Sequence, residues 1–205
     1  DRSALLRIRG ANRATAIAEY FRAQGKEVLL IMDSLTRVAH ARREVGLALG
    51  EQPTAKGYPP SVVSLIPCLV ERSGTGIEGE GAITSFYTVL ADGDDTTNDP
   101  VVDTARAILD GHIVLSRNQT QMGIYPAVDV GAAVSRVMSE IAPPRHLKAA
   151  TKFRRLVSLY MENRDLMLMG GYRAGQDGEL DQAVALWPRL TGFIRQAPNE
   201  PATFA

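Results

Sequence analysis

The feature that most constrains this chain is an uninterrupted apolar run that ends in an acid. Five hydrophobic residues, Val28 to Met32, precede Asp33, and a cluster of hydroxyl and basic side chains follows up to Arg37. Such a run is typical of a strand covered on both faces in a parallel sheet. Asp33 would then emerge at the carboxyl end of the strand, which is the edge of an open α/β sheet where ligands collect.

Asp33 can be interpreted in two ways. In P-loop nucleotide hydrolases an acid at this place, the Walker B aspartate, holds the Mg²⁺ of the nucleotide. Asp33 can equally cap the helix that is predicted to begin at Ser34, because both side chains accept hydrogen bonds from free helix N–H groups. The motif alone leaves both roles open.

Composition restricts the class of partner. The 205 residues carry 23 basic and 23 acidic side chains, so no net charge selects nucleic acid or anionic lipid. No apolar stretch approaches the roughly 20 residues that span a bilayer, and no signal-peptide pattern is present. The single cysteine, Cys68, excludes an intrachain disulfide, and its apolar surroundings predict a buried, inert thiol. A reducing, cytoplasmic setting fits these features.

Strands and helices alternate over the first part of the chain. We predict helices near residues 14–21, 35–49, 60–72 and 101–109, and strands at 28–32, 82–91 and 112–117, the last of them buried. Such alternation implies parallel βαβ units and therefore an α/β fold. The glycine-rich segment 73–81 lacks a following Gly-Lys-Ser/Thr, so we interpret it as a connecting loop rather than a phosphate cradle. Because a helical pattern begins almost at Asp1, the chain looks like part of a longer protein.

The pattern changes at residues 142–144, Ala-Pro-Pro, after which no strand pattern follows. Apolar residues then recur at helical spacing, first in one face and later in what we predict to be two short helices: Phe153, Leu156, Val157 and Tyr160, then Leu180, Val184, Trp187 and Phe193. We therefore predict a first domain over residues 1–143 and an all-α domain over residues 144–205.

Six segments, taken together, carry a resemblance to a known family. They are residues 27–37, 57–62 (Gly-Tyr-Pro-Pro-Ser-Val), 69–74, 82–90, 108–117 and 125–130 (Tyr-Pro-Ala-Val-Asp-Val). In this order, over essentially the whole chain, they closely resemble the flagellum-specific export ATPases, which share their fold with rotary ATP synthase subunits. The resemblance implies the later part of a RecA-like P-loop NTPase domain, with a parallel sheet and flanking helices, followed by an all-α carboxyl-terminal domain.

The resemblance also implies a function for the parent protein. It is ATP hydrolysis, with Mg²⁺ as cofactor, that powers type III export of flagellar proteins. The implied enzyme is a homohexameric ring, cytoplasmic and peripheral to the inner membrane, that contacts stator and central-stalk proteins, export chaperones and export substrates. A virulence-type type III secretion ATPase and a non-catalytic nucleotide-binding ring subunit remain as alternatives.

One departure from the family is an absence. The family's Gly-x-x-x-x-Gly-Lys-Thr loop (Walker A) and the catalytic glutamate that follows it do not occur in this sequence. Without that loop there is no amide cradle and no lysine for the phosphates, so we expect the segment alone not to hydrolyse ATP.

Residue roles follow from the resemblance for the nucleotide site. Asp33 matches the Walker B acid, which holds Mg²⁺ through water. Arg37 matches a basic residue near the phosphates, with a surface ion pair as the alternative. Tyr125 matches a ring that packs on adenine, with ordinary packing as the alternative, and Phe204 matches a second aromatic beside the adenine.

Two further roles lie outside the nucleotide pocket. Arg136 matches an arginine finger that crosses the subunit interface and stabilises charge on the transferring phosphoryl group, with a plain interface or helix-face arginine as the alternative. Asp177, Glu179 and Asp181 match the loop that touches the central shaft of rotary ATPases. Acids at this place can also cap a helix.

Overall fold

The computed structural model describes residues 2–91 and 99–203. The chain divides into two compact units at Leu109/Asp110. This boundary differs from the one between residues 143 and 144 that the sequence pattern predicts, and the assignment of domains stays a prediction.

The first unit is built from helices around a small mixed sheet. Its elements are α1 (Ala4–Arg22), β1 (Val28–Met32), α2 (Leu35–Ala48), a 3-10 turn (Ala55–Gly57), α3 (Pro60–Val70), β2 (Gly74–Thr75), β3 (Ala82–Tyr87) and α4 (Pro100–Ile108). β1 and β3 are parallel, with Val28 opposite Ile83 and Met32 opposite Tyr87. β2, at the start of the glycine-rich segment, pairs antiparallel with β3. The predicted parallel βαβ connection is therefore confirmed for β1 and β3.

The described residues cover one face of β1 rather than two. Leu30 and Met32 are each 8% exposed, whereas Leu29 and Ile31 are 61% and 66% exposed. Successive side chains of a strand point to opposite faces, and α1 packs on the face of Leu30 through Ala18. The prediction of a strand covered on both faces was therefore wrong for the part of the chain that the structure describes.

The second unit joins a strand pair to a helical hairpin. Its elements are β4 (Gly111–Leu115), α5 (Arg117–Gln121), β5 (Val128–Ser135), α6 (Met138–Ile141), α7 (Pro144–Leu168) and α8 (Gly178–Ile194). β4 pairs antiparallel with β5 in a separate sheet, and Ile113 and Leu115 are 71% and 70% exposed. The predicted burial of this strand was wrong, because no described element covers the face that carries these two side chains.

The helical hairpin has its own core. Buried residues of α7 and α8 pack together, and they are Leu156, Val157, Leu159, Leu180, Ala183 and Leu190. The rings of Tyr160 and Trp187 stack across the hairpin with centroids 3.8 Å apart. The prediction of two short helices after Leu180 was wrong, since α8 continues through Pro188 as one helix.

The single cysteine lies on the exposed side of α3. Cys68 is exposed, so the prediction of a buried thiol was wrong. In α3 the buried residues Ile66 and Leu69 face the core, and Cys68 lies two residues, about 200°, beyond Ile66 on the opposite side.

Across residues 2–91 and 99–203, no helix combines the length and apolar character needed to cross a bilayer.

Candidate functional site

Asp33 lies at the carboxyl end of β1, as predicted, and its side chain is exposed. The helix α2 that follows is capped by Ser34, whose Oγ accepts a hydrogen bond from Arg37 N at 3.2 Å. The capping role therefore belongs to Ser34. The carboxylate of Asp33 is left for another use at the edge of the sheet.

A threonine on the neighbouring strand contacts this carboxylate. Thr88 directly follows β3, and its Oγ1 donates to Asp33 Oδ1 at 2.6 Å. The parallel pairing of β1 with β3 brings the ends of the two strands together, because Met32 lies opposite Tyr87. Thr88 is a site residue that the sequence analysis missed, since 55 positions separate it from Asp33 and no local pattern marks it.

A cleft of about 510 Å³ opens beside Asp33 in the first unit. Arg37 lines it, together with Arg2, which precedes α1, and Arg7 of its first turn, so three arginines and one aspartate border the same cleft. Arg7 is oriented by a hydrogen bond from its Nε to Arg2 O at 2.9 Å. Arginine binds phosphate oxygens through paired N–H donors, so this charge distribution suits a phosphate-bearing ligand. The structure thus places Asp33 and Arg37 at the same cleft, and their roles toward magnesium and phosphate stay predictions.

The residues at the cleft fit a magnesium ion only as part of a larger ligand set. Mg²⁺ prefers oxygen ligands and commonly takes one or two carboxylates, with waters and substrate phosphates completing its shell. Asp33 supplies such an oxygen, and among the described residues no three or more His, Cys, Asp or Glu side chains are grouped so that they could hold a metal ion by themselves. A metal at Asp33 would therefore depend on water and phosphate for its other ligands.

Tyr125 forms part of a second pocket, in the second unit. The residue is 54% exposed, and its carbonyl oxygen accepts a hydrogen bond from Gln196 N at 2.9 Å. The pocket, of about 340 Å³, is lined by Tyr125, Pro126, Gln196, Ala197 and Pro198. An exposed aromatic ring among prolines offers a flat apolar surface on which a planar base can stack. Phe204, the other predicted aromatic, lies outside the described residues.

Arg136 directly follows β5 and has an exposed side chain. Its backbone N donates to Asp110 O at 2.7 Å, which fixes the main chain at this point. Arg136 and Tyr125 lie in the second unit, whereas Asp33 and Arg37 lie in the first.

The three predicted shaft-contact acids hold the junction between α7 and α8. Asp177 caps α8, because its Oδ1 accepts from Glu179 N and Leu180 N at 2.9 and 3.1 Å. Glu179 pairs with Arg155 of α7 at 2.8 Å, and this hydrogen bond lowers the pKa of the Glu179 carboxyl. The capping alternative is thus confirmed for Asp177.

Asp181 completes this junction. Its Oδ1 accepts from the Tyr172 hydroxyl at 2.6 Å, and its Oδ2 accepts from Gly175 N at 2.8 Å. The Tyr172 bond, followed by the backbone bond from Gly175, lowers the pKa of Asp181, and the same carboxylate raises the pKa of Tyr172. All three acids therefore have partners within the hairpin, and their contact with a shaft stays a prediction.

The fold and the site define a class of protein. A parallel strand pair joined through helices, with an acid at its carboxyl edge and arginines beside it, is typical of α/β nucleotide-binding domains. The chain belongs to the ATP synthase alpha/beta family, whose nucleotide-binding domain matches residues 1–135. The T3SS EscN ATPase C-terminal domain matches residues 142–205. The predicted fold class and family are confirmed.

Relatives and solved structures agree with this assignment. The chain is 54% identical to the flagellum-specific ATP synthase of Salmonella typhimurium and 53% identical to that of Bacillus subtilis, each over 202 residues and 98% of the chain. It spans 44% and 45% of those two proteins, less than half of their length.

Solved structures also match over almost the whole chain. The assembled ATPase EscN of the enteropathogenic E. coli type III secretion system matches 100% of the chain and 49% of its own, with a TM-score of 0.93 and 46% identity. EscN in complex with its central stalk EscO matches 99% of the chain and 48% of its own, with a TM-score of 0.85 and 44% identity.

Proposed function

We propose that the protein carrying this chain is an ATPase that powers the type III export of flagellar proteins. The observation that carries the proposal is Asp33, which stands at the carboxyl edge of the parallel β1–β3 pair and in one cleft with Arg37. Asp33 would hold Mg²⁺ through water, and Arg37 would pair with nucleotide phosphate. ATP with Mg²⁺ brings both the cation and the phosphates that such a cleft suits.

The identities favour flagellar proteins as the exported substrates. They are 54% and 53% to the two flagellum-specific relatives and 46% to EscN. A virulence-type secretion ATPase would use the same chemistry for different exported proteins, so the choice between them rests on this difference in similarity.

The remaining site residues would act on other parts of the nucleotide. Tyr125 would pack its exposed ring on the adenine, and Phe204 would supply a second aromatic. Arg136 would act as an arginine finger on the nucleotide of a neighbouring subunit, where it stabilises charge that develops in the transition state. Its exposed position directly after a strand is compatible with such a contact.

We further propose the assembly in which this chemistry operates. EscN has been solved as an assembled ATPase and with its central stalk. By analogy, the protein would form a homohexameric ring on the cytoplasmic side, peripheral to the inner membrane, with stator and central-stalk proteins, export chaperones and export substrates as partners. The α7–α8 junction, which carries Asp177, Glu179 and Asp181, would be the part that approaches the stalk.

A mixing experiment with two variants of the full-length protein tests the proposal. Asp33→Asn removes the metal-binding acid of a subunit's own site, and Arg136→Ala removes the finger that it offers to a neighbour. Each variant alone should lose at least about 1,000-fold in turnover. Rings that contain both variants should regain turnover, because an Arg136→Ala subunit keeps its own Asp33 and receives Arg136 from an Asp33→Asn neighbour.

Arg9 provides a control for the mixing experiment. Arg9→Ala removes another exposed arginine, on α1, and should leave turnover unchanged. Mixed rings without recovered turnover would show that Arg136 does not act across an interface. A wild-type protein that binds ATP without turnover would instead be a non-catalytic ring subunit.

A further inference from the structure

We infer that Thr88 is a positioning residue for Asp33, and that its hydroxyl holds one carboxylate oxygen so that the other is left for the Mg²⁺ shell. The inference rests on the proposed function and adds to it a residue that directly follows a different strand, β3. Thr88 Oγ1 donates to Asp33 Oδ1 at 2.6 Å. Over the described residues, this is the one hydrogen bond made by the Asp33 side chain.

The main chain of Thr88 is hydrogen-bonded to residues that precede and follow Asp33 in the sequence. Thr88 N donates to Met32 O at 3.1 Å, and Leu35 N donates to Thr88 O at 3.0 Å. Hydroxyl and carboxylate therefore project from one hydrogen-bonded framework rather than from two independent loops. The distance between them is set by the register of β1 with β3.

A second tether holds the segment after Thr88 without using its hydroxyl. Leu90 N donates to Thr36 Oγ1 at 2.8 Å, and Thr36 Oγ1 donates to Leu90 O at 3.2 Å. Thr36 belongs to the first turn of α2. Because these bonds remain when the Thr88 hydroxyl is removed, a substitution at Thr88 changes the orientation of Asp33 more than the path of the chain.

The exposure of Asp33 explains why such a restraint matters. An exposed carboxylate has no packing to select its rotamer, so its torsions must be ordered when a ligand binds. A hydroxyl bonded to an ionised oxygen makes one of the stronger hydrogen bonds in proteins, and the β-branch of threonine keeps χ1 stiff. Thr88 thereby orders Asp33 before the nucleotide arrives.

The binding of Mn²⁺, as a spectroscopic substitute for Mg²⁺, tests this inference directly. The Mn²⁺ concentration at half saturation is measured by electron paramagnetic resonance on the full-length protein with a non-hydrolysable ATP analogue. Thr88→Val keeps the shape of the side chain without its donor and should raise that concentration about tenfold. Thr88→Ser restores the hydroxyl and should stay within about twofold of wild type.

A matched control lies on the strand that leads to Thr88. Thr84→Val makes the same chemical change at an exposed position of β3, four residues before Thr88, and should leave Mn²⁺ binding unchanged. If Thr84→Val weakens binding as much as Thr88→Val, the effect belongs to the strand and the inference is overturned. If Thr88→Val does not fold, Thr88→Ala compared with Thr88→Ser decides in its place.

Asp33→Asn distinguishes a failure of the positioning role from a failure of the proposed metal site. If Asp33→Asn loses Mn²⁺ while Thr88→Val binds it like wild type, the positioning role fails and the proposed function stands. If Asp33→Asn binds Mn²⁺ like wild type, the proposed metal site fails, and the role of Thr88 fails with it. Weaker binding in both Asp33→Asn and Thr88→Val, with recovery in Thr88→Ser, supports the inference.

Discussion

Arg72 and Glu19 form a two-point ion pair that ties α1 to the residues after α3. Arg72 Nε donates to Glu19 Oε1 at 2.7 Å, and Nη2 donates to Oε2. Arg22 adds a bond from its Nη1 to Arg72 O at 2.9 Å. The hydrogen bond from Arg72 is the main reason that the pKa of Glu19 lies below its ordinary value.

This pair predicts a pH-dependent stability. Glu19 has a lower pKa in the folded chain than in the unfolded chain. Its contribution to the free energy of unfolding is therefore present above the unfolded pKa of about 4.3 and is lost as the pH falls through the folded pKa. Glu19→Gln should lower the free energy of unfolding by about 1 kcal/mol at pH 7, because the pair is partly exposed to solvent. Urea unfolding, measured from pH 7 to pH 3, should show that the difference in the free energy of unfolding between wild type and Glu19→Gln becomes smaller in acid.

A second glutamate gives the control for this measurement. Glu44 is exposed on α2, and Glu44→Gln should change neither the stability nor its pH dependence. A gap between wild type and Glu19→Gln that persists unchanged at low pH would contradict the assigned role of the ion pair.

The stack of Tyr160 on Trp187 predicts a fluorescence change. Trp187 is the single tryptophan of the chain, so its emission reports on the helical hairpin. Tyr160→Ala should shift the emission to longer wavelength and destabilise the hairpin by about 2 kcal/mol, because both the ring contact and its buried area are lost. Tyr160→Phe keeps a ring in place and should retain most of both. Equal behaviour of the two variants would show that the stack contributes little.

The pocket at Tyr125 predicts that removal of the tyrosine ring weakens the binding of nucleotide. Tyr125→Ala in the full-length protein should raise the dissociation constant for ATP about tenfold, because stacking of a base on an aromatic ring is lost. Tyr125→Phe should bind almost like wild type. Tyr20→Ala, at a 64% exposed tyrosine of α1, serves as the control and should have no effect. The comparison is made by equilibrium titration, and an unchanged constant in Tyr125→Ala would exclude the ring as a base contact.

The open face of β1 and β3 predicts that the isolated chain binds hydrophobic dyes. Leu29 is 61% exposed and Phe86 is 57% exposed, on neighbouring strands of one sheet. Leu29→Ser with Phe86→Ser should reduce dye fluorescence and self-association with little loss of stability, since both side chains already face solvent. Leu30→Ser, one position along, should instead destabilise the chain by about 3 kcal/mol because Leu30 is buried. Similar stability losses from both changes would contradict the assignment of the two faces.

Local patterns were sufficient to predict several elements. The apolar run before Asp33 and the Ser34 cap mark the end of β1 and the start of α2 within the sequence itself. The apolar spacing of α7 similarly predicts the helix face that contains Leu156 and Val157. These features depend on residues close in sequence, which is the information that periodicity reads.

Other features could not be predicted because they depend on partners distant in sequence. The strand β5 was missed, since Gly131 and its two following alanines give no β-branched alternation there. The position of Asp33 was predicted, but its contact with Thr88 was not, because it requires the register of two strands. Which faces of β1 and β4 are covered likewise depends on the packing of other elements and not on the strand sequence.

The two ends of α8 lie at different parts of the second unit. The helix begins at the Asp177 cap, where Glu179 holds Arg155, and it ends at Ile194, two residues before Gln196 bonds to the carbonyl of Tyr125. Its 17 residues span about 26 Å. One continuous helix therefore connects the hairpin junction capped by Asp177 to the segment after Ile194 that lines the pocket beside Tyr125.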